Sequence, residues 1–290
     1  MNIATDSTAL KPEALARYAA DFARDGAVHI PQMLTSEEMD IVEEVFTFAA
    51  DHPGPHAFDK PTTEKFVYVD NGLVHLWHEE PYRKLFQIPA FGKVSAALFG
   101  DPDIWFINEQ VTWKQGGSKR TPFHQDTRYF NYDGPDQVQF WISLGSLAKA
   151  NSLEFVKGSH AGPIYGHIED SETRLGEKPP MPPLHGRPIH ENIEANRSAY
   201  EILSWPIERG DVLAFHPTTI HGGAPDKSDL SRRSLTLRCC GTRTVRVPTP
   251  EAMAEGIGDH GIYGELETKP LGTPVCSLSL PVRIWPLAAA

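Results

Sequence analysis

The chain has 290 residues, 40% of them hydrophobic and 22% charged, a composition that fits an ordinary globular protein and excludes a fibre or a disordered chain. Its formal net charge at pH 7 is −11. Because nucleic acids and anionic membranes would repel such a protein at long range, neither is expected as a partner.

The N-terminal residues 1–10 lack the charged start and the apolar core of a signal peptide. No apolar run approaches the roughly 18 residues that a membrane span needs. Cys239, Cys240 and Cys276 show neither metal-type spacing nor a disulfide framework, and the adjacent pair should point to opposite faces of a strand. We therefore expect a soluble, cytoplasmic protein.

The first hundred residues are predicted to be mainly helical. Apolar residues at helical spacing form two stripes, one of Leu15, Tyr18, Ala19 and Phe22 and one of Met39, Val42, Phe46 and Ala49. Between the stripes lies a short apolar stretch, residues 27–30. Thr35 and Glu38 form a capping-box pattern that opens the second helix. A third helix is predicted from Pro89, in its first turn, to just before Gly100.

From Asp103 onward the pattern changes to alternation, which predicts strands. Residues 104–114 have an apolar face (Trp105, Ile107, Val111 and Trp113) and a polar face (Asn108, Gln110, Thr112 and Lys114). Further strands are predicted at residues 137–145, 153–156, 211–216 and 234–241. Between Ser159 and Arg209 lies a long irregular stretch with a proline cluster, which favours a functional loop such as a lid. We expect a single domain over residues 1–290, with helices from about residue 10 to 100 packed on a β core from about 103 to 245.

The segment 121–126 carries a candidate metal site. On a strand, His124 and Asp126 are two residues apart and would point the same way, so that an imidazole nitrogen and a carboxylate oxygen lie side by side. His221 would supply a third ligand from elsewhere in the fold. Two histidines and one carboxylate leave three positions of an octahedron open. That arrangement favours iron(II) with a chelating co-substrate and oxygen over four-coordinate zinc.

Each of these residues is a weak indicator on its own. A His-x-Asp triplet is more often a polar pair at the surface, and a single histidine such as His221 more often belongs to a loop. His216, five residues earlier in the chain, competes with His221 as the third ligand.

A further element downstream strengthens the metal hypothesis. Arg232 and Ser234 share a face at the start of the next strand, and a guanidinium beside a hydroxyl suits a carboxylate. A dicarboxylic 2-oxo acid could chelate iron with one end while its distal carboxylate reaches Arg232. Arg233 alternates away and is expected at a solvated edge.

The combination of His124-x-Asp126, His221 and Arg232-x-Ser234 resembles the phytanoyl-CoA dioxygenase family of iron(II)- and 2-oxoglutarate-dependent oxygenases. The likeness covers roughly residues 15–241 and extends to the segments 22–31, 139–144, 151–160 and 210–216. The chain departs from the family pattern at residues 150–153, where Ala-Asn-Ser-Leu replaces a common Asn-Gly-type turn.

The resemblance implies a mainly β fold with flanking helices, namely a double-stranded β-helix (a jelly roll, cupin-like). It implies that iron(II), 2-oxoglutarate and O2 bind, with His124, Asp126 and His221 as metal ligands and Arg232 and Ser234 as co-substrate ligands. Asn108, Thr112 and Trp141 are further candidates for the co-substrate pocket because of their positions on polar faces. The alternatives are core packing for Trp141 and a solvated face for Asn108 and Thr112.

Such an enzyme would oxidise a small, partly apolar molecule, such as a secondary metabolite, and release succinate and carbon dioxide. Related halogenases replace the carboxylate ligand with a small residue, so Asp126 favours hydroxylation, desaturation or ring formation over halogenation. Aromatic or imidazole side chains that could contact the substrate, or simply pack, are Tyr129, Phe130, Tyr132, His75 and Trp77. Two rival hypotheses are a zinc-dependent hydrolase or isomerase on a cupin-like barrel and a non-catalytic jelly-roll binding module. The sequence does not indicate an oligomeric state.

Overall fold

The computed structural model describes residues 10–55, 57–62, 65–115, 120–169, 186–223, 231–250 and 261–287. Within these ranges the α-helices are α1 (Pro12–Asp25), α2 (Ser36–Asp51), α3 (Glu80–Leu85), α4 (Pro89–Phe99) and α5 (Gly261–Glu267). The strands are β1 (Ala27–Ile30), β2 (Phe58–Thr62), β3 (Lys65–Asn71), β4 (Ile104–Lys114), β5 (Thr121–His124), β6 (Tyr132–Asp133), β7 (Gln137–Ser143), β8 (Leu153–Val156), β9 (His167–Ile168), β10 (Ile189–His190), β11 (Ile202–Leu203), β12 (Val212–Phe215), β13 (His221–Gly223), β14 (Arg232–Cys240), β15 (Val245–Arg246) and β16 (Val282–Trp285).

The helix boundaries follow the local signals of the sequence. At the start of α2 the Thr35 hydroxyl accepts a hydrogen bond from the Glu38 amide at 3.2 Å, and the Glu38 carboxylate accepts one from the Thr35 amide at 2.9 Å. This reciprocal pair satisfies two amides that a helix start leaves without partners. α1 ends where Gly26 adopts a left-handed conformation with φ of 79°. The three predicted N-terminal helices are thereby confirmed.

Two antiparallel sheets form the barrel. The larger has the strand order β1-β12-β7-β14-β4-β3-β2, with β16 paired to the other end of β4, and the smaller has the order β11-β8-β13-β5. Side chains from both sheets line one cavity between them. The expected double-stranded β-helix is confirmed.

The two faces of the large sheet have different neighbours. In β14, Leu235, Leu237 and Cys239 point outward into the main core, which they form together with α1, α2 and α4. The intervening residues Arg232, Ser234, Thr236 and Arg238 point inward to the cavity. Cys240 packs in a different cluster from Cys239, as the alternation of a strand requires.

β4 departs from simple alternation because it contains a β-bulge. Arg238 pairs with Asn108 while the next residue of β14 pairs with Phe106, so that Ile107 is an extra residue on β4. As a result Val111 packs in the outer core while Ile107 packs in an inner cluster. The prediction that Trp105, Ile107, Val111 and Trp113 share one face was therefore wrong.

The N-terminal part is also less helical than the sequence suggested. β2 and β3 form a hairpin that joins the large sheet through β4, and β1 joins it through β12. At the other end of the chain, β16 pairs with β4. Strands from outside residues 103–245 thus extend the predicted β core on both sides.

The stretch between Ser159 and Arg209 is only partly described. In its described portions β9 pairs in parallel with β10, and β11 pairs with β8. The proline cluster at residues 179–183 lies outside the described residues, so the lid stays a prediction. Across the described ranges, no helix is both long and apolar enough to cross a membrane.

Candidate metal centre

The three predicted metal ligands meet at one end of the small sheet. β5 and β13 are antiparallel neighbours in which His124 and His221 are direct register partners. Asp126 follows β5 as the first residue of a 3-10 helix, and its amide donates to the Pro217 carbonyl at 2.9 Å. The strand pairing therefore brings the two imidazoles together, and the turn after β5 adds the carboxylate.

The ligand atoms of these residues converge on a common point. The Asp126 Oδ1 atom lies 3.1 Å from His124 Nε2 and 3.9 Å from His221 Nε2. One ligand atom from each of the three residues can be chosen so that all lie within 4.8 Å of one another. The sequence predicted that Asp126 lies on the same strand as His124 and on the same face. In the structure β5 ends at His124, and the turn that follows brings the Asp126 carboxylate next to the His124 ring.

Hydrogen bonds to the other ring nitrogens prepare both imidazoles for a metal. His124 Nδ1 donates to the Pro122 carbonyl at 2.8 Å, and His221 Nδ1 donates to the Thr219 carbonyl at 2.9 Å. Since a carbonyl oxygen can only accept, the proton of each neutral ring lies on Nδ1 and the lone pair on Nε2. Metal-bound histidines are oriented in the same way. The donor set therefore fits a divalent metal ion.

Burial and charge favour the protonation states that metal binding requires. Burial lowers the pKa of His221 to about 4, so that this ring is neutral at pH 7. Burial would raise the pKa of Asp126, but the contact with His124 and nearby positive charge outweigh it and hold that pKa well below its usual value. The permanent part of this charge belongs to Arg238, whose Nη2 lies 3.3 Å from Asp126 Oδ2.

His216, the competing ligand, lies outside the cluster. Its Nε2 donates to the Gly134 carbonyl at 3.3 Å, and its Nδ1 accepts from the Thr218 amide at 3.2 Å. Both ring nitrogens are therefore occupied within the protein, and neither offers a lone pair to a metal.

A cavity of about 260 Å³ opens beside the three ligands. Among the predicted site residues, those that line it are His124, Asp126, His221, Arg232, Ser234, Thr112 and Trp141. Its apolar wall includes Val69, Leu153 and Phe215. The cavity could hold small molecules in contact with a metal at the His-Asp-His cluster.

Arg232 is placed to bind an anion at the cavity wall. The residue is 5% exposed, and its Nη1 donates to the Asn151 carbonyl at 2.6 Å. Asn151 ends the 3-10 helix Lys149–Asn151, and its backbone carbonyl anchors the guanidinium. Arg233 points to the other side of the sheet and binds Glu43 at 3.0 Å. Arg232 and Ser234 thus share the cavity face.

Other predicted residues lie elsewhere. Asn108 is 1% exposed and does not line the cavity; it sits at the β4 bulge and its amide donates to the Tyr263 hydroxyl at 2.9 Å. Phe130 and Tyr132 pack with Tyr263 in an inner apolar cluster, and Trp77 donates to the Glu109 carboxylate. For these residues the structure shows packing and hydrogen bonding within the protein.

Among the cavity residues that were not predicted from the sequence as site residues are Arg238 and Gln139. Arg238 continues the inward series of β14, six residues after Arg232, and Gln139 precedes Trp141 by two on β7. Arg238 Nε donates to Gln139 Oε1 at 2.8 Å. The period of two could have identified both residues as cavity-facing, but their contact depends on the pairing of strands far apart in the chain.

Comparison with known proteins places these features in a family. The sequence model of phytanoyl-CoA dioxygenase (PhyH) matches residues 22–234, which include all three candidate ligands. The chain is 27% identical to the peroxisomal phytanoyl-CoA dioxygenase of Homo sapiens over 144 residues, which are 48% of this chain and 40% of that protein. It is 29% identical to 1-deoxypentalenic acid 11-beta-hydroxylase of Streptomyces arenae over 191 residues, 62% of each chain. The aligned parts thus span less than two thirds of these relatives.

Solved structures show the same fold at lower identity. The non-heme alpha-ketoglutarate-dependent epimerase SnoN from nogalamycin biosynthesis superposes with a TM-score of 0.65 at 19% identity, over 91% of this chain and 96% of that one. The carbocyclase SnoK from the same biosynthesis superposes with a TM-score of 0.64 at 17% identity, over 89% of this chain and 92% of that one.

Proposed function

The chain belongs to the phytanoyl-CoA dioxygenase family, and from this premise we propose that it is an iron(II)- and 2-oxoglutarate-dependent oxygenase that hydroxylates a small, partly apolar molecule. Succinate and carbon dioxide would be the co-products. The observation that carries the proposal is the convergence of His124, Asp126 and His221 at a cavity that also contains Arg232.

His124, Asp126 and His221 would hold the iron on one face and leave the opposite positions for ligands. When bound, the iron would supply the activation of dioxygen and the oxidative decarboxylation of 2-oxoglutarate. The chain's own residues contribute fixed geometry. The two Nδ1 hydrogen bonds hold the imidazoles, and the contact of Arg238 with Asp126 Oδ2 leaves Oδ1 to face the histidines.

Arg232 and Ser234 would bind the distal carboxylate of 2-oxoglutarate. A guanidinium with a neighbouring hydroxyl gives a charge-assisted hydrogen bond and a second, neutral one to the same carboxylate. Thr112 and Trp141, which line the same cavity, would form further walls of the co-substrate pocket.

The substrate class follows from the rest of the cavity. Val69, Leu153 and Phe215 give it an apolar wall that suits a hydrocarbon portion. The similarity to a hydroxylase of 1-deoxypentalenic acid supports a secondary metabolite as the substrate. Because Asp126 already fills the carboxylate position, hydroxylation fits the site better than halogenation.

Substitution of the neighbouring residues Arg232 and Arg233 tests the proposed co-substrate site. Arg232→Ala should raise KM for 2-oxoglutarate by about tenfold to a hundredfold, since a hydrogen bond to a charged group contributes roughly 1.5–3 kcal/mol. Arg233→Ala removes the same side chain from the outer face, where it contacts Glu43, and should leave KM unchanged. Succinate release with iron(II) in air measures both.

Two results would contradict the proposal. One is an equal change of KM in the two arginine variants, which would remove Arg232 from the co-substrate site. The other is a wild-type protein that binds zinc but neither iron(II) nor 2-oxoglutarate, which would favour a hydrolase or isomerase.

A further inference from the structure

Three buried hydrogen-bond donors at the cavity lack partners in the described part of the chain, namely Arg120 Nε, Arg238 Nη1 and Gln139 Nε2. The last two lie on residues that contact each other. Arg238 is 5% exposed and Gln139 1% exposed, and both residues line the cavity. A buried donor without a partner is costly in free energy, so such donors ordinarily meet an acceptor from a ligand or from water.

Neither donor is free to turn elsewhere. Arg238 Nη2 donates to Gln110 Oε1 at 2.8 Å and to Asp126 Oδ2 at 3.3 Å, and the guanidinium carbon lies 5.3 Å from the centre of the Phe130 ring. These contacts fix the orientation of the guanidinium plane, and they therefore also fix the direction in which Nη1 points.

The amide of Gln139 is fixed by the same arginine. Arg238 Nε can only donate, so the atom of Gln139 that it contacts at 2.8 Å must be the oxygen. The amide nitrogen then faces the other way. Arg238 Nε, which contacts Gln139, and Arg238 Nη1 belong to the same guanidinium. The donors Nη1 and Gln139 Nε2 therefore lie on two side chains that contact each other.

The charge of the cavity indicates what they bind. Among the described residues, its lining includes four cationic side chains, Lys114, Arg120, Arg232 and Arg238, and a single carboxylate, that of Asp126. Arg120 is paired with Glu154 at 3.1 Å and also with Glu194. Even so, this cavity is cationic within a chain whose net charge is −11, which favours anionic ligands.

We propose that Arg238 Nη1 and Gln139 Nε2 form a second oxyanion subsite beside the metal, separate from Arg232 and Ser234 and suited to a carboxylate. Arg232 and Arg238 are six residues apart on the cavity face of β14, so that each supplies its own guanidinium to the cavity. The subsite rests on the proposed function, because its carboxylate is either the 1-carboxylate of 2-oxoglutarate or a carboxylate of the oxidised substrate.

The variant Gln139→Glu separates these sources. It has the same shape, keeps an oxygen for Arg238 Nε and replaces the free donor with a negative charge. Gln87→Glu, at an exposed position after α3, makes the same chemical change away from the cavity and serves as the control. Calorimetry on iron(II)-loaded protein under argon measures the Kd of 2-oxoglutarate, and then, with 2-oxoglutarate saturating, the Kd of benzoate and of benzamide.

If the subsite binds the 1-carboxylate of 2-oxoglutarate, Gln139→Glu raises that Kd by at least about tenfold and Gln87→Glu does not. If it binds a substrate carboxylate, the Kd of 2-oxoglutarate is unchanged, wild type prefers benzoate to benzamide, and Gln139→Glu loses the preference. Should Gln139→Glu fail to fold, Gln139→Met removes the donor without adding charge and should shift the same constant by about threefold to tenfold.

Two results would overturn the subsite. In the first, the variants leave the Kd of 2-oxoglutarate unchanged and wild type binds benzoate no better than benzamide. In the second, the Kd of 2-oxoglutarate is unchanged and Gln139→Glu still prefers benzoate to benzamide. Only water would then occupy the two donors. A wild-type protein that binds no 2-oxoglutarate with iron(II) contradicts the proposed function itself, and the subsite with it. If wild type binds 2-oxoglutarate in the presence of iron(II), a negative result with the variants contradicts the subsite alone.

Discussion

Asp126 and Glu109 are two enclosed carboxylates, one at the cavity beside the small sheet and one on the outer side of the large sheet, and the protein surrounds them with different chemistry. Asp126 faces the cavity, with a side chain that is 14% exposed and meets two imidazoles and a guanidinium. Glu109 lies on the outer face of β4, where it is 0% exposed and surrounded by neutral donors. Three of these are the amide of Leu73, the indole of Trp77 and the hydroxyl of Tyr82, each within 3.1 Å.

The difference appears in the acidity of the two groups. Burial raises the pKa of Glu109 to about 7, because the neutral donors only partly offset the loss of solvent. For Asp126 the contacts with the two imidazoles and the charge of Arg238 outweigh burial, and the pKa lies well below its usual value. Asp126 is thus suited to bind a metal, because imidazole lone pairs and an open cavity face it. Glu109 is suited to a structural role, because neutral hydrogen-bond donors surround it.

The largest expected effect comes from removing the cavity carboxylate. Asp126→Ala should abolish stoichiometric iron(II) binding and 2-oxoglutarate-dependent succinate release, because two imidazoles alone do not complete the donor set. Glu109→Gln, on the other face, should retain both. Metal content by mass spectrometry and succinate release test the pair, and unchanged turnover in Asp126→Ala would remove Asp126 from the metal site.

His216 and His221 allow a similar comparison, between a buried histidine outside the candidate metal site and one within it. His221→Ala should lose iron, since its Nε2 faces Asp126. His216→Ala should keep about one iron per chain, although loss of a buried hydrogen-bonded ring lowers stability by roughly 1–3 kcal/mol. Iron content and thermal unfolding of both variants distinguish a ligand from a structural histidine. Iron lost only from His216→Ala would reverse the assignment.

The smallest expected effect concerns the stability that Glu109 contributes. The pKa of Glu109 in the folded protein, about 7, lies above the ordinary glutamate value of 4.5. The folded state therefore keeps a proton that the unfolded state releases, and this contribution to stability is fully present below pH 4.5 and lost as the pH rises through 7. Relative to Glu109→Gln, the free energy of unfolding of wild type should fall by up to about 3 kcal/mol between pH 5 and pH 8.

Denaturant unfolding of wild type and Glu109→Gln at these two pH values makes the comparison. If the difference between the two proteins stays constant with pH, Glu109 does not titrate in this range. The carboxylate would then be ionised in both states, and the contrast with Asp126 would lose its physical basis.

Sequence patterns predicted the parts of the molecule that depend on local chemistry. The capping box at Thr35 and the apolar stripe of α2 specified that helix. Alternation along β14 placed Arg232 and Ser234 on one face and Arg233 on the other, as the structure has them. The convergence of His124, Asp126 and His221 was predicted from the combined motif, while its immediate cause, the pairing of β5 with β13, became visible only in the fold.

Features that depend on long-range pairing were not predictable in this way. The bulge at Ile107 exists because of how β4 pairs with β14, and it shifts the faces of every residue before it. Asn108, the residue directly after the bulge, was assigned to the cavity from its position on the polar face, although its amide binds Tyr263. The partnership of Arg238 with Gln139 requires β7 and β14 to be neighbours, a fact that no local pattern of either strand contains.

The central claim is that three side chains bind one iron and that Arg232 holds the far end of 2-oxoglutarate. Crystals grown under argon with iron(II) and 2-oxoglutarate, measured on both sides of the iron absorption edge, test it directly. We expect an anomalous peak between His124 Nε2, Asp126 Oδ1 and His221 Nε2, with diacid density running from that peak to Arg232. A peak beside His216 or at the surface, or diacid density away from Arg232, would contradict it.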